Sequence, residues 1–129
     1  MRQEAPIATT PDKTTEVFIH YFNLGNVDDL IDAYYEKNAV IAGSPGNIAR
    51  GAALKEALLP YFSLNGKISG ATRHTLINGD IALLILDWAV EFNDEKGNPA
   101  RYGGTSTDVV RKGADGVWRC VIDNPHNIL

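Results

Sequence analysis

Two aspartates near the end of the chain, Asp108 and Asp123, are the residues best suited to proton transfer. A carboxyl that is partly buried holds its proton to a higher pH than an exposed one, which suits it to general acid or base catalysis near neutral pH. The alternative is a structural role, in which each carboxylate lies on the outer or subunit-facing side of a sheet and pairs with Arg111 or Arg119. The strand register below places both aspartates opposite Trp118 and therefore favours the structural role.

A second candidate pair is His74 with Asp87. A carboxylate beside an imidazole makes an acid–base dyad. The two residues share a predicted sheet face but lie several positions apart, so a hydrogen-bonded structural or interface histidine is the favoured interpretation. The other histidines, His20 and His126, lie on a helix and in the terminal segment. Nothing gathers the three into a metal site, and we expect neither a metal nor a cofactor.

Three aromatic residues and a threonine have the chemistry of a binding pocket. Tyr21, Tyr34 and Trp88 each combine an apolar body with a polar tip that can orient a small molecule. Thr107 is predicted on an otherwise apolar face, where it would be one of the sparse polar groups that a pocket uses. The alternatives are a place in the hydrophobic core for the aromatic residues and a backbone hydrogen bond for the threonine.

The composition narrows the class of protein. The 129 residues carry a formal net charge of −4, and no cluster of Lys and Arg indicates a nucleic acid partner. The longest apolar run, residues 81–86, is too short to cross a bilayer, and residues 1–13 lack the apolar core of a secretory signal. We therefore expect a cytoplasmic protein without a membrane partner, built as a flexible N-terminus (1–9) and a single domain (10–129).

The first half of the chain is predicted to be helical. Thr10, followed by a proline, is a favourable start for the first helix, and Gly25 is a favourable end. A second helix begins near Asn26, and a third covers residues 52–59 until Pro60 stops or kinks it.

The second half is rich in strands, and this segregation of helices and strands predicts an α+β fold. Asn78-Gly79 favours a two-residue hairpin loop, and residues 113–116 favour a second hairpin with a four-residue loop. The predicted strands cover residues 39–42, 71–77, 80–92, 102–112 and 117–123.

The hairpin loops determine which side chains share a face. The first loop pairs Ile77 with Asp80 and places Arg73 on the face of Trp88. The second loop pairs Lys112 with Val117. That pairing places Thr105 and Thr107 on the face of Trp118, and both Asp108 and Asp123 on the opposite face.

Strand 80–92 is apolar on both faces along much of its length, so both faces are predicted to be covered. One face meets the helices. The other is predicted to meet a second subunit, which indicates a homodimer formed through the sheet, although a neighbouring segment of the same chain could also cover it.

Several stretches, in this order, resemble the NTF2-like superfamily. Residues 23–30 (NLGNVDDL) resemble its helix-to-helix corner, N-x-G-D-x-D-x-L, and residues 33–40 (AYYEKNAV) are similar to the helix end and first strand that follow. Gly51 leading into residues 52–58 looks like the short third helix, and residues 115–125 resemble the last strand of SnoaL-like and DUF4440-type members. The resemblance implies a cone in which a curved, mainly antiparallel sheet wraps three N-terminal helices, with a pocket at the open end, in a protein that is often dimeric.

The resemblance also permits a test of one activity. Steroid isomerases of this superfamily use an aspartate base at the end of the first strand and a tyrosine on the first helix. The matching positions here are Gly43 and Phe18, which have neither group. Polyketide-cyclase-like members instead use an acid/base aspartate on a late strand, which Asp108 or Asp123 resembles.

The sequence thus indicates a small-molecule-binding SnoaL-like protein for an apolar organic ligand. Whether it also acts on that ligand by general acid/base chemistry, as an isomerase, cyclase or lyase, is left open by the sequence. The alternative is a non-catalytic dimerisation or protein-interaction domain. A deep pocket holding a carboxyl or histidine with a shifted pKa favours the enzyme, whereas a filled cone with a large apolar surface favours the interaction domain.

Overall fold

A computed structural model describes residues 5–44 and 46–127. Its three helices are α1 (Thr14–Leu24), α2 (Val27–Tyr34) and α3 (Ala52–Phe62). A single 3₁₀ turn over Pro11–Lys13 leads into α1, and Gly25 ends α1 in the left-handed conformation at φ 77°, as predicted. The side chain of Asn26 caps α2 by accepting a hydrogen bond from the Asp29 N–H. Among the described residues, no helix has the length and apolarity needed to span a membrane.

The third helix is longer than predicted, because Pro60 does not end it. A proline inside a helix removes the hydrogen bond to the carbonyl four residues earlier. That carbonyl belongs to Glu56, which is exposed, so water can replace the missing donor. The helix therefore reaches Phe62, and Tyr61 is carried to the mouth of the cavity described below.

The six strands form one sheet in the order β2-β1-β6-β5-β4-β3, in which only the β1–β6 pair is parallel. The short strand β2 was not predicted, because its residues follow a glycine- and proline-rich turn and are mostly exposed. The strands are β1 (Tyr35–Ser44), β2 (Asn47–Arg50), β3 (Lys67–Asn78), β4 (Ile81–Asn93), β5 (Pro99–Lys112) and β6 (Trp118–Asp123).

The core lies between the helices and the concave face of the sheet. Leu30 of α2 and Leu58 of α3 pack there with Leu84 of β4 and Val110 of β5, all of them buried. Ala8 is also buried, and its carbonyl accepts a hydrogen bond from the Trp118 N–H. The predicted flexible N-terminus includes residues 1–4, which lie outside the described residues, so its flexibility stays a prediction.

The predicted register of the β5–β6 hairpin is wrong. Lys112 pairs with Trp118 instead of Val117, because the loop has five residues, and a bulge then shifts the pairing again between Cys120 and Ile122. Both aspartates therefore face the interior with Trp118, whereas Ile122 faces outwards and is 46% exposed.

The same correction applies to the threonines. Thr105 and Thr107 pair with Asp87 and Ile85 of β4 and share the convex face of the sheet with them. The predicted inward position of Thr107 is therefore wrong.

In the β3–β4 hairpin, a bulge at Arg73 gives a second correction. The loop is Gly79-Asp80 instead of Asn78-Gly79, so Ile77 pairs with Ala82, two positions beyond the predicted partner. A shift of two positions keeps side chains on the same side of a sheet, so Thr75 and Ile77 keep their predicted face. The bulge turns Arg73 to the convex face, where its guanidinium binds the carboxylate of Asp87 at 2.5 Å. Arg73 does not lie on the face of Trp88, as its predicted register required.

Candidate functional site

The space between the helices and the concave face of the sheet is not completely filled. A cavity of about 50 Å³ remains, with walls contributed by all three helices, by β1 and by strands β3 to β6. One water needs roughly 10–15 Å³, so the cavity has room for about three to five waters or a small organic group. Most of the lining is apolar, and its polar groups include Ser106, Asp108 and Asp123.

Asp108 and Asp123 form a pair of buried carboxyls at this cavity, with 3% and 5% of their surfaces exposed. Asp108 Oδ1 accepts hydrogen bonds from the Ser106 hydroxyl at 2.5 Å and from the Asn124 N–H at 3.0 Å. Asp123 Oδ2 accepts one from the Tyr35 hydroxyl at 2.5 Å. The alternative considered from the sequence, in which each carboxylate pairs with Arg111 or Arg119, does not occur. Arg111 binds Glu36 and Arg119 binds Asp115 instead.

The electrostatics of the pair raise the pKa of both members. Burial, and then the negative charge of Asp123, raise the pKa of Asp108 well above its ordinary value. Burial also raises the pKa of Asp123, against the opposing hydrogen bonds from Tyr35 and Asp108. Both carboxyls therefore favour the neutral form more than an exposed aspartate does, and they titrate as a coupled pair.

Two consecutive tyrosines at the junction of α2 and β1 pack around this pair. Tyr34 ends the helix and Tyr35 begins the strand, so their side chains diverge and their rings meet edge to face at 4.7 Å. Tyr34 lines the cavity, and Tyr35 holds Asp123. Burial raises the pKa of both phenols well above the ordinary value, so they serve as neutral hydrogen-bond donors.

The mouth of the cavity is closed by the turn that follows β6. The indole N–H of Trp88 donates to the carbonyl of Pro125 at 2.7 Å, and Pro125 is buried against the cavity. His126 Nε2 lies 3.1 Å from the hydroxyls of both Tyr61 and Tyr102. Because the single hydroxyl proton of Tyr61 is donated to the carbonyl of Gly43 at 2.5 Å, the His126 Nε2–H must be the donor to Tyr61.

The structure brings together four of the seven residues that the sequence singled out. Tyr34, Trp88, Asp108 and Asp123 line the cavity. Tyr21 is half-buried behind it, where its ring meets that of His20 edge to face at 4.8 Å.

The other two candidate residues lie on the outside of the sheet. Thr107 donates from its hydroxyl to Asn127 Oδ1 on the convex side. His74 is exposed there, opposite Ile85, while the carboxylate of Asp87 is held by Arg73 and Thr105. The proposed dyad of His74 with Asp87 is therefore not formed.

Sequence reasoning missed four residues of the site: Tyr35, Tyr61, Ser106 and His126. The signal that could have found Ser106 is its spacing of two from Asp108, which puts the hydroxyl and the carboxyl on the same face of one strand. Tyr61 lies beyond a proline that was expected to end its helix. Within the described residues, no three His, Cys, Asp or Glu side chains converge in a way that could hold a metal ion.

No family model matches the sequence, and no curated protein matches it either. Solved structures do match. A protein from Shewanella frigidimarina, assigned as a ketosteroid isomerase, is 20% identical, with a TM-score of 0.66 over 89% of this chain and 94% of its own. An NTF2-like superfamily protein from Salmonella enterica serovar Typhimurium is 13% identical, with a TM-score of 0.65 over 88% and 84%.

A third similar structure has a different role. The association domain of CaMKII from C. elegans is 17% identical, with a TM-score of 0.61 over 87% of this chain and 88% of its own. The three structures share one architecture with this chain at low identity, although the proteins are described as having different roles. The chain therefore has the NTF2-like fold, a curved six-stranded α+β cone around three helices.

Proposed function

We propose that this protein binds a small organic molecule in the cone and acts on it by general acid/base chemistry, with Asp108 and Asp123 as the proton-transferring pair. The proposal depends mainly on the pair of buried carboxyls, both with a raised pKa, on the wall of a mostly apolar cavity. A protonated carboxyl can donate to a substrate while its ionised neighbour accepts, which is the division of labour that isomerase, cyclase and lyase reactions need.

Two features of the surroundings support this role. The Tyr35 hydroxyl and the Ser106 hydroxyl hold the two carboxyls in fixed orientations, so little reorganisation is needed when a proton moves. The positions that match the steroid isomerase base and tyrosine are Gly43 and Phe18. Gly43 has no side chain and packs against Ala57, so the proposed chemistry belongs to the aspartate pair instead.

A thermal-shift screen of small apolar fragments tests the proposal. Ile19 lines the cavity, so Ile19→Trp should fill it, whereas Ile7→Trp changes an exposed residue in the same way and serves as the control. A fragment present at 100 times its dissociation constant stabilises the protein by about 2.7 kcal/mol, which raises Tm by several degrees. We expect fragments that stabilise the wild type and Ile7→Trp but not Ile19→Trp. Equal shifts in all three proteins would contradict binding in the cone.

Catalysis is tested separately from binding. For any fragment that is converted, Asp108→Asn should abolish turnover and leave the thermal shift in place, because the amide keeps the shape of the carboxyl but cannot exchange its proton with substrate. Turnover that survives in both Asp108→Asn and Asp123→Asn would rule out the pair as the catalytic groups.

A second candidate function, a dimerisation or protein-interaction domain, is favoured by the convex face of the sheet. Leu76, Ile81 and Ile122 are 56%, 39% and 46% exposed there, beside the half-buried Leu83 and Val109. Contiguous apolar surface of this kind is typical of an interface. We infer that two copies pair through this face, and the similar association domain of CaMKII is compatible with such a role. Pairing outside the cone does not exclude ligand binding within it.

A further inference from the structure

The charge and ring content of the cavity define which ligands fit it. Among the described residues, the lining contains two aspartates and no lysine, arginine or histidine. An ionised carboxylate in an apolar cavity is costly to leave without a positive partner. The groups that donate hydrogen bonds to the two carboxyls are all neutral: the Tyr35 hydroxyl binds Asp123, and the Ser106 hydroxyl and the Asn124 N–H bind Asp108.

The apolar part of the lining is rich in aromatic rings. Phe18, Phe22, Tyr34, Tyr61 and Trp88 all contribute to it. The faces of aromatic rings are electron-rich and attract cations, with tryptophan the strongest of them. Rings and carboxyl groups together in one cavity are the combination that recognises an ammonium group with an apolar body.

A further unmet acceptor lies next to the pair. Asn124 Oδ1 is buried and has no hydrogen-bond partner among the described residues. The backbone N–H of the same residue donates to Asp108. The side chain of Asn124 is not part of the cavity lining, so the carboxyls and the rings alone define the ligand class.

From these features we propose that the ligand of the cone is a small amine, bound as its ammonium ion against Asp123 with its apolar part among the rings. The cavity size limits the enclosed part to about three to five non-hydrogen atoms, counting each as one water. An organic anion is disfavoured, because it would place a second negative charge beside Asp123 in a cavity whose described lining residues include no Lys, Arg or His, the imidazole of His126 lying at the mouth. This inference rests on the proposed function and specifies the chemical class of its substrate.

Three compounds that differ in one group test the inference. Propan-1-amine, propan-1-ol and propanoate have the same carbon chain and differ in charge. Each is titrated at constant pH and ionic strength into ¹⁵N-labelled protein, and binding is followed at the indole N–H of Trp88, which lies at the mouth. We expect the amine to bind at least tenfold more tightly than the alcohol, and propanoate to produce no saturable shift.

Variants of the wall provide the controls. Asp123→Asn should remove the preference of amine over alcohol, whereas Asp87→Asn removes a carboxylate on the convex face and should leave the preference unchanged. Circular dichroism and Tm establish that each variant is folded. If Asp123→Asn does not fold, the preference in the wild type at two ionic strengths decides the matter, because attraction to a buried charge is only weakly screened by salt.

The possible results distinguish the amine proposal from the proposed ligand-binding function. Binding of the alcohol equal to or stronger than that of the amine would overturn the amine proposal and leave the ligand-binding cone intact. Saturable binding of propanoate would also overturn it. If no compound shifts the Trp88 signal, and the fragment screen also finds nothing, the proposed function itself fails.

Discussion

The raised pKa of Asp108 couples the chemistry of the site to the stability of the fold. The pKa of Asp108 is raised in the folded protein above its value in the unfolded chain, which is near 3.9. The folded state therefore binds this proton more tightly. The resulting stabilisation is fully present below about pH 4 and is lost as the pH rises through the folded pKa.

This linkage gives a prediction for Asp108→Asn. The amide can accept from Ser106 and Asn124 and donate to Asp123, as the protonated carboxyl does, and it has no proton to lose. We expect equal free energies of unfolding for wild type and variant near pH 4. At pH 8 the variant should be more stable by about 1.4 kcal/mol for each unit by which folding raises the pKa. Urea denaturation at both pH values measures the difference.

Asp87→Asn is the control for this prediction, because folding shifts the pKa of Asp87 in the opposite direction to that of Asp108. The hydroxyl of Thr105 and the guanidinium of Arg73 lower the pKa of Asp87. The stabilisation that it provides is present above the unfolded pKa and is lost as the pH falls. If the free energy of unfolding of Asp108→Asn depends on pH as that of wild type does, or as that of Asp87→Asn does, then Asp108 is not a buried, protonated group.

At the scale of the elements, the close approach of β5 to β4 sets the shape of the cavity wall. A Cβ at Gly103 would lie 2.2 Å from the carbonyl oxygen of Trp88, whereas at Gly104 the nearest neighbours are about 4.0 Å away. We expect Gly103→Ala to destabilise the fold by about 2–3 kcal/mol more than Gly104→Ala, since backbone must move to accommodate it. Chemical unfolding of the two adjacent variants measures this, and equal losses would show that the strands are not so close.

The limits of sequence reasoning are also clearest at this scale. The start of the first helix, its end at Gly25 and the capping Asn26 were predictable, because each depends on local chemistry. The faces of β5 and β6 were not, because one extra residue in the loop and one bulge at Val121 reverse them. Which residues reach the site depends on those faces. Asp108 and Asp123 were identified by residue type, but their burial depends on a strand register that the sequence does not specify.

The partners of the two aspartates show a second limit. Tyr35 meets Asp123 across 88 positions of sequence, through the parallel pairing of β1 with β6. No local pattern marks such a contact, since it results from the closure of the whole sheet. His126 likewise reaches Tyr61 and Tyr102 only because the segment after β6 turns back over the cavity mouth.

At the scale of the whole molecule, the proposed pairing of two copies through the convex face predicts a dimer in solution. Leu76→Asp should convert it to a monomer, because a buried charge without a partner opposes association. Leu59→Asp, a similarly exposed leucine on α3, should leave the dimer intact. Sedimentation velocity at micromolar concentration distinguishes the two. A wild type that sediments as a monomer, or a dimer unaffected by Leu76→Asp, would contradict pairing through this face.

The most direct test of the central claim is a ¹³C NMR titration of the aspartate side-chain carboxyls in the intact protein, with Asp108→Asn and Asp123→Asn used for assignment. We expect the two carboxyls to titrate as a coupled pair, with the pKa of Asp108 well above the ordinary aspartate value and that of Asp123 also raised. Independent titration of both carboxyls near the ordinary value of about 3.9 would contradict the claim, because the two groups would then be neither buried together nor coupled.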